Sequence, residues 1–246
     1  MKNKITENLK RINDNIADAC ARTHRDPADI RLVAVTKTVE VETIHLLLEM
    51  GLCDLGESRV QQLTQRQAMI DEFLARRDLH SDAQTQPPAK PRWHMIGHLQ
   101  RNKVKPILPI VHSIHSVDSL RLAEEINTNA ARLGLADRVK IFLQVNTSQE
   151  KQKYGLAVGA VAALAEQIRT LPNLEIIGLM AMGPLTEDLQ LSRFCFARLR
   201  EIFEEMRGEK IVGPSFKHLS MGMSNDYVIA LEEGATVLRI GSTLFE

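Results

Sequence analysis

The chain has 246 residues, 44% of them hydrophobic, enough to build one large core and close to the roughly 250 residues of a single (β/α)8 barrel. Acidic and basic residues balance at 31 each, so no global field favours nucleic acid or an anionic membrane. Cys20, Cys53 and Cys195 lie far apart without a CxxC pair, which argues against a disulfide frame.

The first segment is amphipathic, with Ile5, Leu9, Ile12 and Ile16 at helical spacing, and it lacks the apolar core of a signal peptide. No later stretch reaches the roughly 18 apolar residues of a membrane span, so a cytoplasmic protein is expected. Short apolar runs then predict eight strands, over 31–36, 53–57, 93–97, 111–116, 139–146, 176–181, 218–221 and 237–240. Helical patterns over 41–50, 60–75, 120–133, 158–170, 188–206 and 226–232 alternate with most of them. This alternation predicts right-handed βαβ units and a parallel sheet, and eight strands are the barrel number. The expected fold is therefore a single α/β TIM barrel spanning 1–246, with an extra N-terminal helix and no second β domain. A polar, proline-rich stretch, Ser81 to Pro91, interrupts the rhythm and reads as a mobile loop within about 76–92.

Lys37 follows the buried run Leu32-Val33-Ala34-Val35-Thr36. A lysine at the carboxyl end of a barrel strand points into the usual ligand mouth, where an amine loses its proton readily and condenses with an aldehyde. Side-chain alternation puts Val33, Val35 and Lys37 on one face. The same parity groups Leu55 with Glu57, Phe142 with Gln144 and Asn146, His218 with Ser220 and Gly222, and Val237 with Arg239 and Gly241. If those faces look inward, polar groups gather at several carboxyl strand ends.

The segment Leu219-Ser220-Met221-Gly222-Met223-Ser224-Asn225-Asp226 and the segment Arg239-Ile240-Gly241-Ser242-Thr243 follow the seventh and eighth strands, the favoured phosphate loops of a barrel. Ser224 is a candidate helix N-cap, with Asp226 in the first turn. Ser58 and Gln61 have capping-box spacing. His94 and His98 do not fall like a helical metal pair. His112 and His115 differ by an odd number along a strand and should face opposite ways, so no metal is expected.

These residues together resemble the pyridoxal phosphate homeostasis protein family. The likeness is carried by Val33 to Lys37, Gly56-Glu57 with Val60-Gln61, Trp93 to Gln100 with Asn102-Lys103, and His115 to Asp118. Further matches are Val145-Asn146 with Lys153 and Gly155, Gly178 to Met182, Leu219 to Ser224 with Asp226, and Arg239-Ile240-Gly241. Many members carry Asn-Tyr where this chain has Ser58-Arg59, and its Pro87-Pro88 loop is longer than usual.

The resemblance implies a barrel like the N-terminal domain of alanine racemase, binding pyridoxal 5'-phosphate (PLP) as a Schiff base on Lys37. It implies a phosphate resting on Ser220, Gly222, Gly241 and Ser242, with Met223 and Thr243 close by, Asn146 in the site, and Arg239 near the pyridine nitrogen. An arginine there disfavours ring protonation and weakens carbanion chemistry. Racemases of this fold take a second acid/base tyrosine from an added domain. Neither Tyr154 nor Tyr227 lies at a matching position, which favours a non-catalytic PLP carrier, expected to be monomeric and to serve PLP-dependent apoenzymes. The alternatives are a PLP-dependent amino acid racemase and a cofactor-independent aldolase using Lys37.

Overall fold

The computed structural model describes residues 1–80, 90–148, 150 and 154–246. Among the described residues there are nine strands: β1 (Arg31–Val35), β2 (Asp54–Glu57), β3 (Arg92–Met95), β4 (Val111–Val117), β5 (Val139–Asn146), β6 (Leu156–Ala157), β7 (Leu174–Met180), β8 (His218–Ser220) and β9 (Val237–Ile240). All pairings are parallel, and β4 pairs with β5 to close a ring of eight. The two-residue β6 hangs outside that ring on β5. The seventh and eighth barrel strands are therefore β8 and β9.

Eight α-helices accompany them among the described residues: α1 (Lys2–Arg22), α2 (Val41–Glu49), α3 (Val60–His80), α4 (Leu120–Leu133), α5 (Val161–Arg169), α6 (Leu189–Gly208), α7 (Tyr227–Glu232) and α8 (Ser242–Phe245). The last one lies beyond the predicted elements, because four residues carry too little periodicity to be read. Between β3 and β4 a short 3-10 turn, Arg101–Lys103, replaces a helix. α3 continues to His80 and β3 begins at Arg92, so the expected loop is shorter at its start. Its residues 81–89 lie outside the described residues, as does Lys153.

The outer layer buries the strand residues that face the helices. α1 adds Ile5, Ile12 and Ile16 to it. Each such side chain contributes roughly 1.5–3 kcal/mol on burial. Polar contacts fix where α1 docks: Asn8 Nδ2 donates to Leu244 O at 3.2 Å, and Asn15 Nδ2 donates to the Tyr227 hydroxyl at 2.6 Å. The N-terminal helix thus braces α7 and α8, the helices entered from the two loops expected to hold phosphate.

Inside the ring the filling is divided. Val33, Phe142, Ile177, Met180 and Val237 form an apolar cluster. Beside them lie the buried polar groups His94, Ser113, His115, Ser220 and Arg239, with the His115 ring 4.2 Å from that of Phe142.

Two parity expectations fail here. Gly56, not Glu57, faces the barrel interior, since a Cβ on Gly56 would meet Val33 Cγ1 at 2.9 Å. Glu57 therefore turns outward, accepts from Thr36 Oγ1 at 2.5 Å, and pairs with Arg66 of α3. His112 and His115 do not face opposite ways. The β3–β4 register shifts between Trp93 and His94, and the extra residue brings both rings to His94, with centroids at 5.4 and 5.3 Å.

Candidate functional site

A cavity of about 460 Å³ opens at the carboxyl end of the barrel. It is lined by residues at the carboxyl ends of β1 and β9 and in the segments that leave β1, β2, β3, β7, β8 and β9. Lys37 stands two residues beyond β1, exposed, and lines the cavity with Val35 and Thr38. Arg239, two residues beyond Val237 on the same face of β9, also lines the cavity and is only 4% exposed. Met223, Gly241 and Ser242 also line the cavity.

Arg239 is the electrostatic centre. Burial pulls its pKa down to about 10, partly opposed by the carboxylate of Asp226. Its NH1 donates to Ser220 Oγ at 2.6 Å and its NH2 to Ala181 O at 2.9 Å. A guanidinium has five donors, so three have no protein partner among the described residues. A buried charge left this way is costly without a further acceptor, and the group borders the cavity.

Beneath Arg239 runs a chain of hydrogen bonds. Ser220 Oγ and His115 Nδ1 are 2.9 Å apart, His115 Nε2 and Ser113 Oγ 2.9 Å, Ser113 Oγ and His94 Nδ1 2.8 Å, and His94 Nε2 and Asp54 Oδ1 2.9 Å. Burial pushes His94 below its usual pKa and His115 well below, so both rings are neutral. The carboxylate end then sets the direction, because an ionised carboxylate only accepts. His94 Nε2–H donates to Asp54, Ser113 to His94 Nδ1, His115 Nε2–H to Ser113, and Ser220 to His115 Nδ1. Both histidines are Nε2–H tautomers. Asp54 is held ionised, well below the usual carboxylate range, by hydrogen bonds from Arg92 and His94 that outweigh its burial.

The remaining predicted residues sit around this frame. Ser220 does not line the cavity; its hydroxyl is committed to Arg239 and His115. Gly222 has φ +92°, open to glycine, and its carbonyl accepts from Arg239 N–H at 3.0 Å. A Cβ there would come within 2.6 Å of Ala230 Cβ. Thr243 lies behind the wall, with its N–H donating to Ser224 Oγ at 3.1 Å and its hydroxyl to Ser224 O at 3.2 Å. Asn146 is off the cavity, and its Nδ2 donates to Glu150 O at 2.9 Å.

Two capping expectations are corrected. α7 begins at Tyr227, so Asp226, not Ser224, holds the cap position. The Asp226 carboxylate turns back to accept from Met223 N–H at 2.6 Å, and Ser224 is used to join the two phosphate-type loops. α3 begins at Val60, which leaves Ser58 one residue outside the cap; the Arg59 carbonyl accepts from Leu63 N–H at 3.0 Å. Ser58 instead lines the cavity.

Sequence reasoning missed the opposite wall, where Met182, Leu185, Leu189 and Ser192 border the cavity. It also missed the buried chain through His94 and His115. The alternation Trp93-His94-Met95 within a strand held the signal for His94, because an inward polar residue in a closed barrel needs a partner.

The match to a known family model, that of the alanine racemase N-terminal domain, covers residues 8–246. Among curated relatives, the pyridoxal phosphate homeostasis protein of Aquifex aeolicus is 37% identical over 239 residues, 97% of this chain and 96% of the relative. PipY of Synechococcus elongatus, in a structure with PLP bound, superposes with a TM-score of 0.76 at 30% identity, covering 94% of this chain and 100% of PipY. A crystal structure of an unknown protein from Bifidobacterium adolescentis matches at 0.87 and 33%, covering 99% and 95% of the two chains. The fold class is that of an alanine-racemase-type barrel. The chain belongs to the pyridoxal phosphate homeostasis protein family.

Proposed function

We propose that this protein is a PLP carrier that holds the cofactor as a Schiff base on Lys37 and releases it without turnover. The observation that carries this reading is one cavity shared by a mouth lysine and a buried arginine with three uncommitted donors. The names of its relatives and the PLP-bound PipY structure support the same reading.

The residues fit such a ligand. Lys37 supplies the amine, and Met223, Gly241 and Ser242 line the wall that would hold the phosphate. Gly222 and Thr243 fix that wall, the first through its carbonyl on Arg239 N–H and the second through Ser224. Asn146 orders the start of the segment after β5. Ser220 acts through Arg239, whose orientation it sets. Bound PLP supplies an aldehyde and an electron-withdrawing ring. Arg239, a donor that stays charged, would keep a pyridine nitrogen near it as an acceptor and would so restrain that ring as an electron sink.

Absence of turnover is supported by the two tyrosines. The Tyr227 hydroxyl is taken by Asn15, and Tyr154 stacks on His98 at 4.0 Å; neither lines the cavity. We further propose one domain over residues 1–246, monomeric in the cytoplasm, delivering PLP to apoenzymes. No helix of the described residues is long and apolar enough to cross a membrane.

A titration followed by visible absorption tests binding: PLP should bind and dephosphorylated pyridoxal far more weakly. Proton NMR of amino acids in deuterated buffer tests turnover. No α-proton exchange above that of free PLP is expected, and faster exchange would replace the carrier by a racemase-type enzyme. Sedimentation should give a mass near 27.6 kDa.

A further inference from the structure

The other end of the barrel carries a second cavity, of about 340 Å³, unrelated to the PLP reading. Five strands present their first or second residue to it: Arg31 of β1, His112 of β4, Lys140 of β5, Glu175 of β7 and His218 of β8. Lys217 stands just before β8. Three cations therefore converge on one opening.

Two carboxylates oppose these three cations, one lining the cavity and one beside it. Glu175 is the one carboxylate among the lining residues, and it accepts from Ser215 Oγ at 2.5 Å. Asp54 Oδ1 lies 3.9 Å from Arg31 Nε, but Asp54 is held by Arg92 at 2.5 Å and by His94 at 2.9 Å. The histidines register the excess. Burial lowers His112 to about 4 with help from His94, Lys140 and Arg31. Burial likewise lowers His218, with help from Arg31, Lys217 and Lys140. Both rings thus stay neutral and can donate. Like charges focused in a walled cavity raise the local concentration of anions, and a guanidinium fork beside two ammonium groups suits a doubly charged oxyanion.

We infer that the amino-terminal mouth of the barrel is a binding site for a small dianion, a phosphate ester or a dicarboxylate, held by Arg31, Lys140 and Lys217. The volume lies at the small end of the roughly 300–1,000 Å³ of ligand pockets, which excludes large polyanions.

Inorganic phosphate and succinate, titrated separately at constant ionic strength set by sodium chloride, test this in the full chain. The readout is the imidazole proton resonances, assigned with His112→Gln and His218→Gln. No histidine lines the carboxyl-end cavity, so anions bound there leave these signals in place. Saturable shifts of His112 and His218, with exposed His24 unmoved, are expected for at least one of the two probes. Saturation by phosphate alone identifies a phosphate site, and by succinate alone a dicarboxylate site. The Lys140→Gln/Lys217→Gln variant should weaken that binding at least about tenfold. The site is refuted if neither probe saturates, if sodium chloride alone gives the same shifts, or if the folded double variant binds as tightly as the parent.

Discussion

The two ends of this barrel handle positive charge in opposite ways. At the carboxyl end a single guanidinium, Arg239, is buried, oriented by two hydrogen bonds and braced by a chain that reaches Asp54. At the amino end Arg31, Lys140 and Lys217 are only partly buried or exposed, and they line an open cavity. The first arrangement recognises a ligand by geometry, because few donors remain and their directions are fixed. The second works by field, because flexible cations attract any small dianion that fits. Geometry of the first kind costs stability, since each buried polar group must be satisfied.

The largest effect expected on this contrast comes from Lys37→Ala. PLP retention should fall by at least about 100-fold, roughly 3 kcal/mol, when measured by dialysis and absorption. Thermal stability without PLP should not move, because Lys37 is exposed. His115→Leu breaks the braced end from below. It leaves the Ser220 hydroxyl proton without its acceptor and Ser113 Oγ without the donor from His115, and should cost about 2–4 kcal/mol in urea unfolding. PLP affinity should fall about tenfold as Arg239 loses its orientation. A variant that loses stability but keeps its affinity would reduce the chain to a structural role.

The pH dependence is next in size. His94 and His115 have pKa values lowered in the fold, so the unfolded chain binds more protons near and below its ordinary histidine pKa. Stability should therefore be full above about pH 6.5 and fall on acidification, by up to about 1.4 kcal/mol per pH unit for each histidine. Asp54, also lowered, adds a further loss below the ordinary carboxylate range. Denaturant unfolding between pH 7 and pH 5 measures the slope, and His115→Leu should flatten it by about one proton. The smallest effect lies at the other end. Lys217→Gln relieves like-charge repulsion and should raise stability by a few tenths of a kcal/mol, about the size of exposed charge effects, at low salt. A clear loss would mean that Lys217 has a stabilising partner.

Much of this was readable from residue order, and the exceptions have causes. The inward set Val33, Val35 and Arg239 followed from alternation, because β1 and β9 pair in steady register from Arg31↔Val237 to Ala34↔Ile240. Glu57 was misplaced because the inward position on β2 is Gly56, which has no side chain to announce its face. His112 was misplaced because the register shift beside β3 leaves no mark in the local sequence. Lys37 was legible as an amine at a strand end. The commitment of Ser220 to Arg239 was not, since it depends on a contact 19 residues apart. The Met182–Ser192 side of the cavity was missed because its lining residues lie in a connection that strand parity does not reach.

The central claim is tested most directly by reducing PLP-loaded protein with borohydride and mapping the modified peptide by mass spectrometry. The account predicts one phosphopyridoxyl adduct, on Lys37. An adduct on another lysine, or protein with bound PLP and an unmodified Lys37, would contradict it.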